Sequence, residues 1–210
     1  MKKLTLTILI TMIGINMFAQ DANVSPEKET RKSKKVRVRP GRCPAIYITT
    51  STGINNNTAI LGFSFDVPVS KNVSIDAGPG TGTWGNKVYV GAKYYLKPCH
   101  RGFAFGTGLT YCPGVNHDHA NLTTVYGNTE DVGYNKNPQT NILFAAYKYW
   151  YLGKKYNRVY VELGWSAPLS SGEKITQLYG DPISSDTRSS LDSDAPGGPI
   201  LAVGVSFGVY

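Results

Sequence analysis

Alanine, glutamate and leucine, the residues that build long helices, are scarce in this 210-residue chain, and only 17% of it is charged. That scarcity excludes coiled coils and long solvated helices. A disordered chain is excluded as well, because 41% of the residues are hydrophobic and 11% aromatic. Beyond residue 20 no apolar run approaches the roughly 20 residues that a membrane-crossing helix needs. Cysteine is limited to Cys43, Cys99 and Cys112, an odd number that allows at most one intramolecular bridge. Glycine (23) and tyrosine (14) are what the chain has in quantity.

The N-terminus carries an export signal. Lys2 and Lys3 precede an apolar run from Leu4 to Phe18, closed by Ala19. This is the layout of a secretory signal peptide, 1–19, cleaved after Ala19. A membrane anchor would need a longer run, and Asn16 interrupts this one. Next comes a basic leader, 20–43. Between Asp21 and Cys43 eight basic residues face three acidic ones, a net of +5, whereas the chain from Pro44 onward nets only +1. An exported protein rarely meets nucleic acid, so none is expected as partner. Such a run is a flexible solvated segment, or one that touches anionic headgroups or a partner subunit.

From Ala45 the pattern has period two. Strands are predicted at about 45–54, 59–69, 73–80, 87–96, 102–112, 141–151, 158–167 and 200–209, an even number joined as an antiparallel meander. One face is bulky and apolar: Phe63, Phe65, Val161, Leu163, Trp165, Val203, Val205 and Phe207 are examples. The other mixes glycine, serine and charge. That second face is too poor in volume for a solvent-facing exterior and too polar for a dry core. Placing the bulky face toward lipid and the small polar face inside resolves both problems. Five charges well inside strands, Asp66, Asp76, Lys93, Lys148 and Glu162, are assigned to the interior, where isolated burial would be costly and a paired network is expected. The sixth strand fits least well, since this assignment turns Ile142 and Phe144 inward beside Lys148.

Connections alternate in length. The second, fourth and sixth are tight, whereas the long ones, Pro113 to Thr140 and Pro168 to Pro199, both lie at the opposite end. Lys71, Lys97, Arg101, Lys154, Lys155 and Arg158 gather at the tight end. The two long loops hold eight acidic and three basic residues, a net of −5. Tyr94, Tyr95, Tyr147, Tyr149, Trp150 and Tyr151, near the tight end, are candidates for an aromatic girdle.

Over about residues 44–210 the chain resembles the small eight-stranded outer-membrane barrels of the OmpA transmembrane domain and OmpX superfamily. Its final run, Leu201 to Tyr210, is similar to the C-terminal strand that the barrel-assembly machinery reads there, although Tyr210 is out of phase with the lipid-facing set. The resemblance implies an all-β up-and-down transmembrane barrel with periplasmic termini. Outer-membrane localisation, outer-membrane lipid as surroundings and the assembly machinery as a transient partner are implied with it.

Candidate chemistry is thin. Cys43 and Cys99 fall together at the tight end and are a possible disulfide; Cys112 falls about 40 Å away at the other end of the fifth strand. His117-Asp118-His119 lacks a third metal ligand at site spacing, and the Asp181–Asp194 stretch lacks the ligand order of a calcium loop. Gly78, Gly80 and Gly82 lack the helix that a phosphate cradle requires. No metal or cofactor is expected. Eight strands leave an interior only wide enough for side chains. The expected function is therefore non-catalytic, through acidic external loops or a basic periplasmic face, with an envelope partner such as a secretion or transfer assembly. One alternative is a lipid-modifying hydrolase or acyltransferase using Ser166 with His117 or His119. A further alternative is a soluble periplasmic lipocalin-like carrier with the faces reversed.

Overall fold

A computed structural model describes residues 43–152 and 156–210. Residues 1–42, where the signal peptide and basic leader are expected, and Gly153, Lys154 and Lys155 lie outside the described residues. In chain order the strands are β1 (Ile46–Ile54), β2 (Leu61–Pro68), β3 (Val73–Gly82), β4 (Gly85–Lys97), β5 (Arg101–Cys112), β6 (Val115–Thr123), β7 (Thr129–Lys136), β8 (Gln139–Leu152), β9 (Asn157–Pro168), β10 (Ile175–Tyr179) and β11 (Gly198–Val209). One helix, α1 (Ser185–Ser193), lies between β10 and β11.

Eight strands close a barrel in the order β1-β2-β3-β4-β5-β8-β9-β11, every pairing antiparallel. The ring shuts where β1 meets β11, from Ile46 opposite Val209 to Ile54 opposite Leu201. Closure leaves no unpaired edge on the barrel. Within each strand, exposure alternates with the pleat: β2 exposes Leu61, Phe63, Phe65 and Val67 and buries Ser64 and Asp66. Tyrosine rings make this interior solid, with Tyr95, Tyr147, Tyr149 and Tyr160 packed in one cluster. Glycine makes room for them, since a Cβ on Gly204 would sit 2.5 Å from the Tyr160 ring and one on Gly108 2.5 Å from that of Tyr89.

The two long connections are not open loops. β6 and β7 form a hairpin, and β10 adds to β7 to give a three-stranded sheet in the order β10-β7-β6. The Ser184 side chain caps α1 by accepting from the Thr187 N–H. A second core holds this layer down: Trp84, at the β3–β4 turn, packs with Cys112, Tyr134, Ile175 and Ala195. The Trp84 indole N–H donates to the Asn137 carbonyl at 3.0 Å. These short elements escape a period-two reading because they run five to nine residues and mix exposed polar positions with few buried ones.

Candidate functional site

The alternation that builds the strands delivers six ionised side chains into the lumen: Asp66, Asp76, Lys87, Lys93, Arg158 and Glu162, all at most 3% exposed. Two pairs close directly. Arg158 Nη2 lies 2.6 Å from Asp66 Oδ2, and Lys93 Nζ lies 2.6 Å from Asp76 Oδ2. Tyrosine hydroxyls complete them: Tyr95 donates to Asp66 at 2.6 Å and Tyr89 to Asp76 at 3.0 Å. Glu162 accepts from Tyr147 at 3.1 Å, while Lys87 donates to the Asn56 carbonyl. The Arg158 guanidinium is sandwiched 3.7 Å from the Tyr47 ring centre and 4.2 Å from that of Tyr149. Three basic side chains are thus set among three acidic ones in the described lumen. Charge-assisted bonds offset the desolvation that each ion suffers.

Four of the five charges expected inside, Asp66, Asp76, Lys93 and Glu162, are in this network. Lys148 is a correction: it points outward. Its register neighbours are Phe103 and Val161, both on the outer wall, and its ammonium rests 4.0 Å from the Phe103 ring centre. The physical reason is parity. Ile142, Phe144 and Trp150 share Lys148's side of β8, and Phe144 pairs with outward Trp165, whereas Tyr147 and Tyr149 fill the lumen. Two of the girdle tyrosines are therefore interior, as is Tyr95; Tyr94 and Trp150 are outside. Arg158 and Lys87 were missed as lumen residues. The available signal was that Arg158 shares parity with Glu162, and Lys87 with Lys93. Phe63, Phe65, Val161, Leu163, Trp165, Val203, Val205 and Phe207 all sit on the outer wall.

The tight end is stoppered. Cys43 and Cys99 form a disulfide, which ties the start of β1 to the β4–β5 turn. Cys99 and His100 both adopt left-handed backbone conformations, φ 59° and 60°, and the turn folds into the barrel mouth. Its carbonyls are held there: Tyr151 donates to Cys99 at 3.0 Å, and Arg158 Nη1 donates to His100 at 2.9 Å. The His100 ring is 1% exposed and packs edge-on to Tyr95. Burial holds its imidazole below the usual histidine range.

At the loop end a pocket of about 220 Å³ opens between the barrel rim and the connection before β11. Asn55, Ile60, Trp84, Lys87, Cys112 and Asp194 line it, and Cys112 is a buried free thiol. No three metal-ligating side chains cluster among the described residues. His119 Nδ1 faces Asp131 at 3.4 Å, and Asp118 pairs with Lys136 at 2.6 Å. Ser166 is buried in the lumen, bonded to Asn141, while His117 and His119 sit exposed on β6. The serine–histidine pair that a hydrolase would require is not brought together.

No protein-family model matches the chain, and no curated protein does. Among solved structures it is similar to the N-terminal β-barrel domain of Pseudomonas aeruginosa OprF, at 13% identity, over 77% of this chain and 93% of that one, with a TM-score of 0.45. The closed eight-stranded antiparallel barrel stands on the strand order and registers described above.

Proposed function

We propose that the chain is a non-catalytic outer-membrane barrel that spans the bilayer with a sealed lumen and presents its loop-end sheet to a partner outside. One observation carries this reading: the outward wall is apolar on all eight strands, including Phe63, Phe105, Leu163, Trp165 and Leu201 at about half exposure, while ion pairs occupy the interior. So much contiguous apolar surface is not compatible with water as the surrounding solvent. A barrel wall in contact with hydrocarbon requires it. The reversed faces of a soluble carrier are not what the strands display. The stoppered mouth and packed tyrosines argue against bulk transport, which leaves the ordered β6-β7-β10 layer, with the acidic segments that flank β10 and form α1, as the surface through which the protein acts.

The test is direct. Purified full-length protein should require detergent for recovery, migrate faster unheated than boiled on cold SDS gels, and insert into phospholipid vesicles with only the β6–β7 and β10–α1 segments cleaved by added protease. Stable recovery as a detergent-free monomer would overturn the proposal.

A further inference from the structure

Lys148 stands out on the outer wall. Among the described barrel strands it is the ionised side chain that faces outward away from a strand end; apart from Lys97 and Arg101 at the tight-end termini of β4 and β5, the other outward positions carry aliphatic, aromatic, alanine, proline, asparagine or threonine side chains. No carboxylate lies within ion-pair distance of it among the described residues. The Phe103 ring at 4.0 Å and the Trp150 ring at 6.0 Å give it cation–π contacts but no counter-charge. On a lipid-facing wall a lysine is costly, least so where it reaches the headgroups.

Two neighbours add to this. Arg101, at the start of β5, shares the outward face of Phe103 and lies nearer the tight end, its guanidinium 5.3 Å from the Tyr151 ring centre. In the opposite direction the register runs from Phe103–Lys148 through Phe105–Ala146 to Thr107–Phe144. There the small side chains of Ala92 and Thr107, set between Tyr94, Phe105 and Phe144, leave an outward groove of about 350 Å³. From Lys148 to Phe144 is four residues of β8, about 13 Å along the strand. That is a distance an acyl chain spans from its headgroup. A second outward groove, over Val159, Val161, Val203 and Val205, lies on the β9–β11 side of Lys148, across β8 from the strand that carries Arg101.

We infer that the β4–β5–β8 wall binds one anionic glycerophospholipid, its phosphate held between Lys148 and Arg101 and an acyl chain laid in the Ala92–Thr107 groove. The inference rests on the membrane-spanning reading. Two cations without a carboxylate select a headgroup that has no positive charge of its own, so phosphatidylglycerol is favoured over phosphatidylcholine.

The experiment is native mass spectrometry of the detergent-purified full chain after incubation with equal amounts of phosphatidylglycerol and phosphatidylcholine. Wild type should retain phosphatidylglycerol preferentially. Lys148→Gln should lower that retention about fivefold, the effect of one basic group at an anionic surface, with phosphatidylcholine unchanged. Lys148→Arg should keep it, Arg101→Gln should reduce it, and Lys174→Gln, in the loop layer, should not alter it. Equal retention of the two lipids by wild type, or undiminished phosphatidylglycerol on Lys148→Gln with its heat-shifted gel mobility intact, overturns the inference. Insertion into vesicles separates the two failures. A barrel that inserts without headgroup preference loses only this site, whereas one that does not insert loses the membrane reading and the site with it.

Discussion

Removing Arg158 should expose how much the lumen depends on closed ion pairs. In Arg158→Met the stem is largely replaced, but Asp66 keeps only the Tyr95 hydroxyl as a strong donor. Its side chain is 1% exposed, so water cannot take over. Breaking a buried pair from one side costs about 3–5 kcal/mol. The His100 carbonyl loses its arginine donor as well, which adds about 1 kcal/mol. Replacing both partners, Asp66→Leu with Arg158→Met, removes the stranded carboxylate and should cost less than Arg158→Met alone. Urea unfolding in detergent micelles, followed by fluorescence of Trp84, Trp150 and Trp165, measures all three variants. The exposed pair Arg188–Glu173, 3.5 Å apart, supplies the control: Glu173→Gln should cost under about 1 kcal/mol. If Arg158→Met costs no more than that control, or if the two lumen substitutions simply add, the closed-pair reasoning is wrong.

Other outcomes follow from the two ends. The Cys43–Cys99 bridge spans a sequence separation of 56, so the Cys43→Ser, Cys99→Ser double variant should lose stability, up to about 4 kcal/mol in the chain-entropy limit; the urea midpoint of wild type with and without reductant checks this. Cys112→Ser should leave that reductant effect unchanged. At the loop end, the Lys136 ammonium bonded to Asp118 holds its carboxyl below the ordinary value of 3.8. Its stabilising contribution is complete above that value and is lost as pH falls through the lower folded one. Because the pair is partly exposed, the loss is small, under about 1 kcal/mol. NMR shifts of Val132 and Tyr134 should follow the Asp118 carboxyl with a midpoint below its ordinary 3.8 in wild type and with a higher midpoint in Lys136→Met; identical acid titrations of both would count against the pairing.

Much of the architecture was legible because a strand's two faces are written in alternate residues. The eight barrel strands, the polar placement of Asp66, Asp76, Lys93 and Glu162, and the alternation of tight and long connections all follow from that parity. Parity fails where both faces look alike. In β8 one side offers Ile142, Phe144 and Trp150 and the other Leu143, Tyr147 and Tyr149, so hydrophobicity alone could not orient the strand or place Lys148. Pairing settled it, since Tyr147 lies opposite Glu162 and its hydroxyl reaches that carboxyl. A tyrosine is equally at home in a girdle or a polar lumen, and only its neighbours say which.

What local order could determine was periodicity, turn positions and the sidedness of strands with one plainly apolar face. What required the closed barrel was partnership. Asp66 and Arg158 are 92 residues apart, whereas the Cys43–Cys99 bridge, across a separation of 56, was already a candidate because both cysteines fall at the tight end. The loop layer was likewise invisible in the chain, because β6, β7, β10 and α1 are too short and too polar to announce themselves and are ordered by packing on Trp84. Side-chain pattern specifies which way a residue faces; ring closure decides what it meets there.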